Sequence, residues 1–372
     1  EIRLSLVGSE MCIRDRISAT MSFSVSPAQA AHELLRRRRG RESLTGFSGA
    51  VAIPGRPDEA VEHGIAAHHR LLMEAIDTCL DTANGRLMVF MPPGSAKSTY
   101  ASVLTPPFAM GRKPGFRVIG ACYASELARK LGRRCRSIVR QPAFERLFGT
   151  RLSAESAAAD EWSLTNGSEY MAGGILSGIT GNRADLVLID DPVKGRQDAE
   201  SPVIRRKTLD AYHDDLMTRL LPGGSVILVQ TRWHEEDLAG CILPEGYDGQ
   251  SGDIACRDGQ TWRVLCLPAR AEREDDPLGR RPGEYLWPEW FPRSHWAPFE
   301  RNPRSWASLF QQRPSPDEGD VFRREWLALY DTLPAGCRFY GGSDYAVSDT
   351  GDYTVHVVVA MDADGTLYVH DL

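Results

Sequence analysis

Lysine is scarce in this 372-residue chain: only five of its 44 basic residues are lysine, and the rest are arginine. GC-rich coding DNA produces such a skew, so it carries no functional reading. A global basic field is absent too, since the net charge is −6. Any nucleic-acid binding must then come from local patches. The eight cysteines, at 12, 79, 122, 135, 241, 256, 266 and 337, are scattered and form no CxxC. That argues against a zinc site or a disulfide framework and fits a reducing compartment. The longest apolar runs, such as 225–229 and 355–361, fall far short of the ~18 residues of a membrane span, and no apolar stretch of signal-peptide type opens the chain. The expectation is a soluble protein. Charged residues at 25% and hydrophobic residues at 42% are ordinary globular values, which exclude a disordered or collagen-like chain. The length suggests about two domains.

Both ends read as irregular. The chain starts at Glu1, and SEMCIRDR at 9–16 reads as the translated end of a sequencing adapter. Residues 1–20 are therefore set aside, with Met21 as the expected start. The last strand, 367–371, is an edge that needs partners, so a C-terminally truncated fragment is expected.

A short helix at 28–35 leads into the arginine run 36–41, and residues 44–60 read as loop. Apolar spacing predicts a helix over 68–80. Residues 86–91, 117–121, 168–171, 186–189 and 225–230 read as strands. Helices are expected at 125–139, across most of 201–221, and from 235. A helix starting at 98 is expected to be interrupted by Pro106-Pro107. Continuous apolar strands alternating with helices predict an α/β fold, a parallel sheet covered on both faces. From 243 to 316 Gly, Pro and Trp are dense, and an irregular subdomain is expected. Strands return from about 321.

After the strand at 86–91 comes PPGSAKST, residues 92–99. A strand, a tight loop and a helix N-terminus form a phosphate cradle, because backbone amides and the helix dipole both favour an anion. Gly94, Ser95, Ala96, Lys97, Ser98 and Thr99 are the candidate nucleotide-binding residues. Lys97 would reach the terminal phosphates, and Ser98 would hold Mg²⁺. Met91 and Ala96 stand where the usual motif has glycine. A Pro-Gly turn before a Ser/Thr-capped helix is the alternative.

The run 186–189 ends in Asp190-Asp191. In P-loop ATPases the first acid of such a strand holds Mg²⁺, and the second orients and deprotonates water; two acids also make a helix cap. The strand at 225–229 ends in Gln230-Thr231-Arg232-Trp233-His234, a polar cluster at a parallel strand's carboxyl end, where ligands bind in open α/β sheets. Thr231 is a candidate γ-phosphate sensor and Arg232 a candidate relay. Arg129, Lys130, Arg133, Arg134 and Arg136 read as a solvated helix face, a DNA contact or an arginine finger for a neighbouring subunit. Arg183 is a second finger candidate.

Together these motifs resemble the large terminase subunit of tailed bacteriophages. The stretches that carry the resemblance are PPGSAKST (92–99), GITGNRADLVLIDDP (178–192), VQTRWHEEDLAG (229–240) and SWASLFQQRPSPDEGDVFRREW (305–326). The resemblance covers residue 60 to the C-terminus. It implies a P-loop ATPase domain followed by the start of a ribonuclease-H-like nuclease domain: an N-terminal arm over 21–60, the ATPase over 61–242, a lid or linker subdomain over 243–325, and the partial nuclease over 326–372. It further implies that Lys97, Ser98 and Thr99 bind ATP phosphates and Mg²⁺, that Asp190 is the Walker B acid, that Asp191 replaces the more usual Glu as catalytic base, and that Thr231 couples hydrolysis to DNA movement. His68, His69 and Arg70 are implied at the adenine. Asp344, with Asp352 beside it, would hold nuclease metal, and the remaining acids would lie beyond residue 372, leaving this fragment nuclease-incompetent. The implied partners are dsDNA, a viral portal protein, a small terminase subunit and further copies in a ring, in the host cytoplasm and transiently at the procapsid portal, with no membrane. A helicase-like P-loop ATPase and a non-catalytic DNA-binding assembly subunit with a degenerate loop are the alternatives.

Overall fold

The structure is a computed structural model that describes residues 26–55, 64–158, 160–177, 179, 181–314, 328, 330–344 and 355–371. The chain divides into two compact units, residues 1–316 and 317–372. None of the described helices is long and apolar enough to cross a membrane.

The first unit begins with α1 (Pro27–Glu42), α2 (Leu44–Ser48) and α3 (Ala67–Asp81). β1 (Arg86–Phe90) leads through a loop into a π-helical stretch, Thr99–Leu104, and α4 (Thr105–Arg112). Then come β2 (Arg117–Cys122), α5 (Ser125–Val139), α6 (Pro142–Phe148), β3 (Leu152–Ala157), β4 (Glu161–Leu164), β5 (Glu169–Gly174) and β6 (Ala184–Asp190). They are followed by α7 (Arg196–Glu200), α8 (Pro202–Ala211), β7 (Leu220–Gln230), α9 (Leu238–Ile242), β8 (Gly252–Ala255), β9 (Thr261–Cys266) and α10 (Arg293–Glu300).

Nine strands form one sheet in the order β3-β4-β5-β2-β6-β7-β1-β9-β8. The six from β5 to β9 run parallel, and antiparallel strands close both edges. Strand residues alternate between two buried faces. Leu87 and Val89, Leu186 and Leu188, Ile227 and Val229 pack on one face with α3, the π stretch and α5. Met88 and Phe90, Val187 and Ile189, Val226 and Leu228 pack on the other, with Tyr212 and Leu238. Burial on both faces is why these strands read as unbroken apolar runs.

Several elements depart from the sequence reading. Residues 252–266 are strands of the main sheet rather than irregular structure, and β9 lies beside β1. Their pattern is hidden because β8 is a half-exposed edge rich in Gly and Asp. The chain stays helical through Pro106 and Pro107, which open α4, where a missing N–H does no harm. The Ser102 carbonyl, deprived of the Pro106 N–H, takes the Cys135 thiol at 3.2 Å, and the Thr105 hydroxyl donates to the Tyr100 carbonyl. The first helix runs on through the arginines to Glu42, where Glu33 pairs with Arg36 and Arg37. Within 44–60, α2 forms because Ser43 caps it and Leu44 and Phe47 are fully buried.

The second unit contains an antiparallel meander of β10 (Arg338–Asp344), β11 (Val355–Met361) and β12 (Leu367–Asp371). Asp362 takes the Asp364 and Thr366 amides and closes the β11–β12 turn.

Asp77 generates a pH prediction. Both its carboxylate oxygens accept from the Leu44 amide at the start of α2, at 3.1 and 2.9 Å. Burial nonetheless pushes its carboxyl up from 3.8 to about 6. The folded chain therefore holds the extra proton in that window, and the stability this proton contributes is lost as pH rises through about 6. Asp77→Asn, which keeps an acceptor, is expected to melt above wild type at pH 8, with the gap narrowing as pH falls toward 4. Equal melting at pH 8 would remove burial as the cause.

Candidate functional site

The carboxyl ends of β1, β6 and β7 meet because β7 lies between the other two. Strand periodicity then chooses the side chains. Asp190 continues the face of Leu186 and Leu188, and Thr231 that of Ile227 and Val229, so both belong to the face carrying the helical stretch after β1.

The loop after β1 curls through left-handed backbone at Gly94 (φ +82) and Ala96 (φ +61). Backbone of alternating hand is the geometry in which N–H groups line an anion-binding concavity; in the empty loop the Ser95 amide donates to the Pro92 carbonyl at 3.3 Å. A Cβ at Gly94 would stand 2.9 Å from the Phe291 ring, so glycine is required there on both counts. Met91 is simply buried where β1 ends, and no glycine is needed there. Ala96 does hold left-handed backbone, and as the smallest residue with a Cβ it is the least crowded substitute for glycine.

Lys97 is 7% exposed. Its ammonium donates to the Thr231 hydroxyl at 2.8 Å and lies 3.7 Å from the Asp191 carboxylate. Ser98 Oγ donates to Asp190 Oδ1 at 3.1 Å. Asp191 sits at φ +44, and its carboxylate accepts the Thr231 amide at 3.0 Å. Asp190 is fully buried beside it. Burial first, and then the Asp191 charge, push the Asp190 carboxyl up to about 7. The structure thus brings Lys97, Ser98, Asp190, Asp191 and Thr231 into one cluster.

Arg232 is elsewhere engaged. Its guanidinium is buried against Asp237 at 2.9 Å and lies over the Phe90 ring. Asp237 also takes the Gly240 amide and so caps α9. The expected helix therefore starts at Leu238, and Arg232 is an anchor rather than a free relay. Arg183 does not reach the site within this chain. It precedes β6, its guanidinium on the Thr218 carbonyl, while Asp190 ends that strand about 20 Å away at ~3.3 Å per residue. On α5, Arg129, Lys130 and Arg133 are exposed. Gly178 and Thr180 lie outside the described residues, as does Asp352. Asp344 ends β10, paired with Val355.

Beside the loop lies a cavity of about 900 Å³ whose lining includes His68, Arg70, Arg280, Trp287 and Phe291. The His69 ring nitrogen lies 3.0 Å from the Ser95 carbonyl and packs edge-on to Trp287. Burial, then the neighbouring His69, hold His68 down to about 2, so its ring is neutral. Sequence reasoning missed Arg280 and Trp287. For Trp287 the signal was the aromatic density of PGEYLWPEWFP, read as irregular structure; Arg280, just before that run, had none.

One consequence concerns stability. An acid with a raised folded pKa opposes folding when charged, and that opposition is relieved as pH falls through about 7 for Asp190. Asp190→Asn is expected to raise the melting temperature of nucleotide-free protein in magnesium-free buffer at pH 8 by about 2–4 °C, with the gain shrinking below pH 7. A lowered melting temperature at pH 8 would mean that the carboxylate is a net stabiliser.

No curated protein matches the chain. Among solved structures, the large terminase of bacteriophage HK97 aligns at 16% identity and a TM-score of 0.47, covering 89% of this chain and 67% of that one. A mutant ATPase domain of the large terminase of Thermus phage P74-26 aligns at 14% identity and a TM-score of 0.41, covering 65% of this chain and 93% of that one. The large terminase of another thermophilic bacteriophage, in complex with ADP, aligns at 12% identity and a TM-score of 0.42, covering 82% of this chain and 69% of that one. The family model for terminase large subunit, T4likevirus-type, N-terminal, matches residues 88–329, well over half of the chain. That stretch contains the Lys97, Asp190-Asp191 and Thr231 cluster, and the chain belongs to the terminase large subunits of this family.

Proposed function

We propose that this chain is the ATP-hydrolysing motor of a DNA-packaging machine, moving viral dsDNA into a procapsid. The observation that carries the reading is the Lys97 ammonium held between Thr231 and Asp191, with Ser98 on Asp190 beside it.

In this reading Gly94, Ser95, Ala96, Lys97, Ser98 and Thr99 cradle the nucleotide phosphates. Lys97 exchanges its present partners for phosphate oxygens, which frees the Thr231 hydroxyl and the Asp191 carboxylate together. Thr231 then faces the terminal phosphate, and Asp191 orients and deprotonates the attacking water. Asp is one methylene shorter than the more usual Glu, so that water sits closer to the strand end. Two hard oxygen donors, Ser98 Oγ and Asp190 Oδ1, are already 3.1 Å apart. That suits Mg²⁺, which keeps several waters and takes one or two protein oxygens beside phosphate. When bound, the ion neutralises charge on the phosphate oxygens. The neutral His68 ring, Arg70 and the Trp287 face offer the cavity beside the loop to adenine. Arg183 or an α5 arginine would act on a neighbouring copy's site, which calls for a homo-oligomeric ring. That ring would dock on a portal protein and receive DNA through a small terminase subunit, in the host cytoplasm and transiently at the procapsid. Asp344 and Asp352 are proposed as metal-holding carboxylates of a ribonuclease-H-like endonuclease, since two-metal cleavage needs several carboxylates around the ion pair.

The test is steady-state ATP hydrolysis with and without linear dsDNA, and with portal protein present. Turnover is expected to rise with DNA and to fall at least ~100-fold in Lys97→Ala, the scale seen when one preorganised charge-stabilising contact is removed. No turnover by folded wild-type protein with portal present would defeat the motor reading in favour of a non-catalytic assembly subunit. For the adenine assignment, Trp287→Ala is expected to weaken ADP binding by roughly tenfold, the low end of base–aromatic stacking, in an equilibrium titration. Unchanged affinity would place the base elsewhere.

A further inference from the structure

The dipeptide Gln311-Gln312, in a stretch that the nucleotide reading leaves unused, is tied to the reactive end of the sheet. Gln312 is 1% exposed and holds left-handed backbone, φ +60. Its Oε1 accepts the Arg232 amide at 3.2 Å, and its Nε2 donates to the Leu309 carbonyl. The preceding amide, Thr231, donates to Asp191. The two N–H groups that follow β7 are thus satisfied by side chains from two different segments, Asp191 on one side and Gln312 on the other. These side chains stand where a backbone carbonyl would otherwise be needed, and a buried amide left without a partner is strongly disfavoured.

Gln312 is itself held rigidly. Gln311 Oε1 accepts the Arg270 amide at 3.1 Å while its Nε2 donates to the Arg270 carbonyl at 2.9 Å, copying a strand pairing with the chain that leaves β9. Ser308 Oγ takes Arg196 Nη2 at 3.0 Å. A non-glycine residue in left-handed backbone persists only where its surroundings over-determine it, and such residues gather at functional sites.

We infer that Gln312 is a positioning residue for the Thr231–Arg232 loop, setting Thr231 at the distance from Lys97 and Asp191 that hydrolysis requires. The inference rests on the proposed ATPase reading. Gln312 acts through Thr231 and touches no nucleotide. Its loss should therefore lower kcat while leaving the KM for ATP nearly unchanged, because the phosphate nest and the base cavity are intact.

The test uses the full chain and four proteins: wild type, Gln312→Met, Gln312→Glu and Lys97→Ala. Methionine keeps the length and removes both the acceptor and the donor to the Leu309 carbonyl, whereas glutamate keeps an oxygen for the Arg232 amide and, protonated in this buried place, a donor for that carbonyl. For Gln312→Met the expected result is a kcat at least tenfold lower, a KM within threefold and a melting temperature near wild type. Gln312→Glu should recover kcat to within threefold. Hydrogen exchange at the Arg232 amide should quicken in the methionine variant alone. Wild-type kcat in Gln312→Met, or equal losses in Met and Glu, would overturn the inference. If wild type shows no turnover, the ATPase reading fails by itself; the exchange comparison still decides, with equal exchange in all variants overturning the positioning role. Should the methionine variant not fold, Gln312→Asn takes its place. Asparagine tolerates left-handed backbone but is one methylene short of the Arg232 amide, and the same loss is expected.

Discussion

The buried Lys97 ammonium is the interaction on which the site depends. Two consecutive carboxylates end β6, and one of them, Asp190, is wholly inside the protein. Such a pair is tolerable only beside a buried cation and donors that satisfy its oxygens. Lys97, Ser98 and the Thr231 amide provide them. Each donor comes from the end of β1 or β7, so the arrangement exists only because the strand order puts β7 between β1 and β6. A different order from the same segments would leave either the carboxylates or the lysine alone in the core.

The same end of the sheet concentrates backbone strain. Five described non-glycine residues have left-handed backbone: Asn84, Ala96, Asp191, Trp287 and Gln312. Four of them belong to the loop after β1, the acid pair, the cavity wall and the segment that holds the Thr231–Arg232 loop. The strands beneath are buried on both faces and give this strain a stiff base. A relaxed loop would be more stable locally, but it would not hold the Asp191 carboxylate, the Thr231 hydroxyl and the Lys97 ammonium within hydrogen-bonding or ion-pairing range of one another. Anchoring is equally firm at Arg232, whose buried pairing with Asp237 leaves the adjacent Thr231 as the member free to change partners.

The family match and the buried polar cluster fall on the same part of the chain. The matched span, 88–329, begins in β1 and includes every member of the Lys97 cluster. It also includes β8, β9 and the aromatic segment around Trp287. These belong with the main sheet and the cavity beside it, although their sequence texture suggests a separate irregular subdomain.

Much of the site is legible in the sequence. Lys97-Ser98-Thr99 after an apolar strand, Asp190-Asp191 ending another and Thr231 ending a third are local patterns, and strand periodicity alone puts Asp190 and Thr231 on equivalent faces. An apolar run flanked by turn residues announces a buried parallel strand because burial on both faces leaves no polar position. What the sequence hides depends on partners distant along the chain. β9 reads as irregular because its pattern acquires meaning only beside β1. Ala96 reads as a defect until the loop's handedness explains it, and Arg183 reads as available until β6 places it at the far end. Gln312 lies 80 residues beyond Arg232, whose amide it accepts, and no local spacing encodes that bond. Sequence determined the doubly buried strands, the long helices and the chemical groups at their ends, since these follow from short-range sterics and burial. Tertiary structure alone decided which ends meet, since that is set by strand order and by the requirement that every buried charge and amide find a partner.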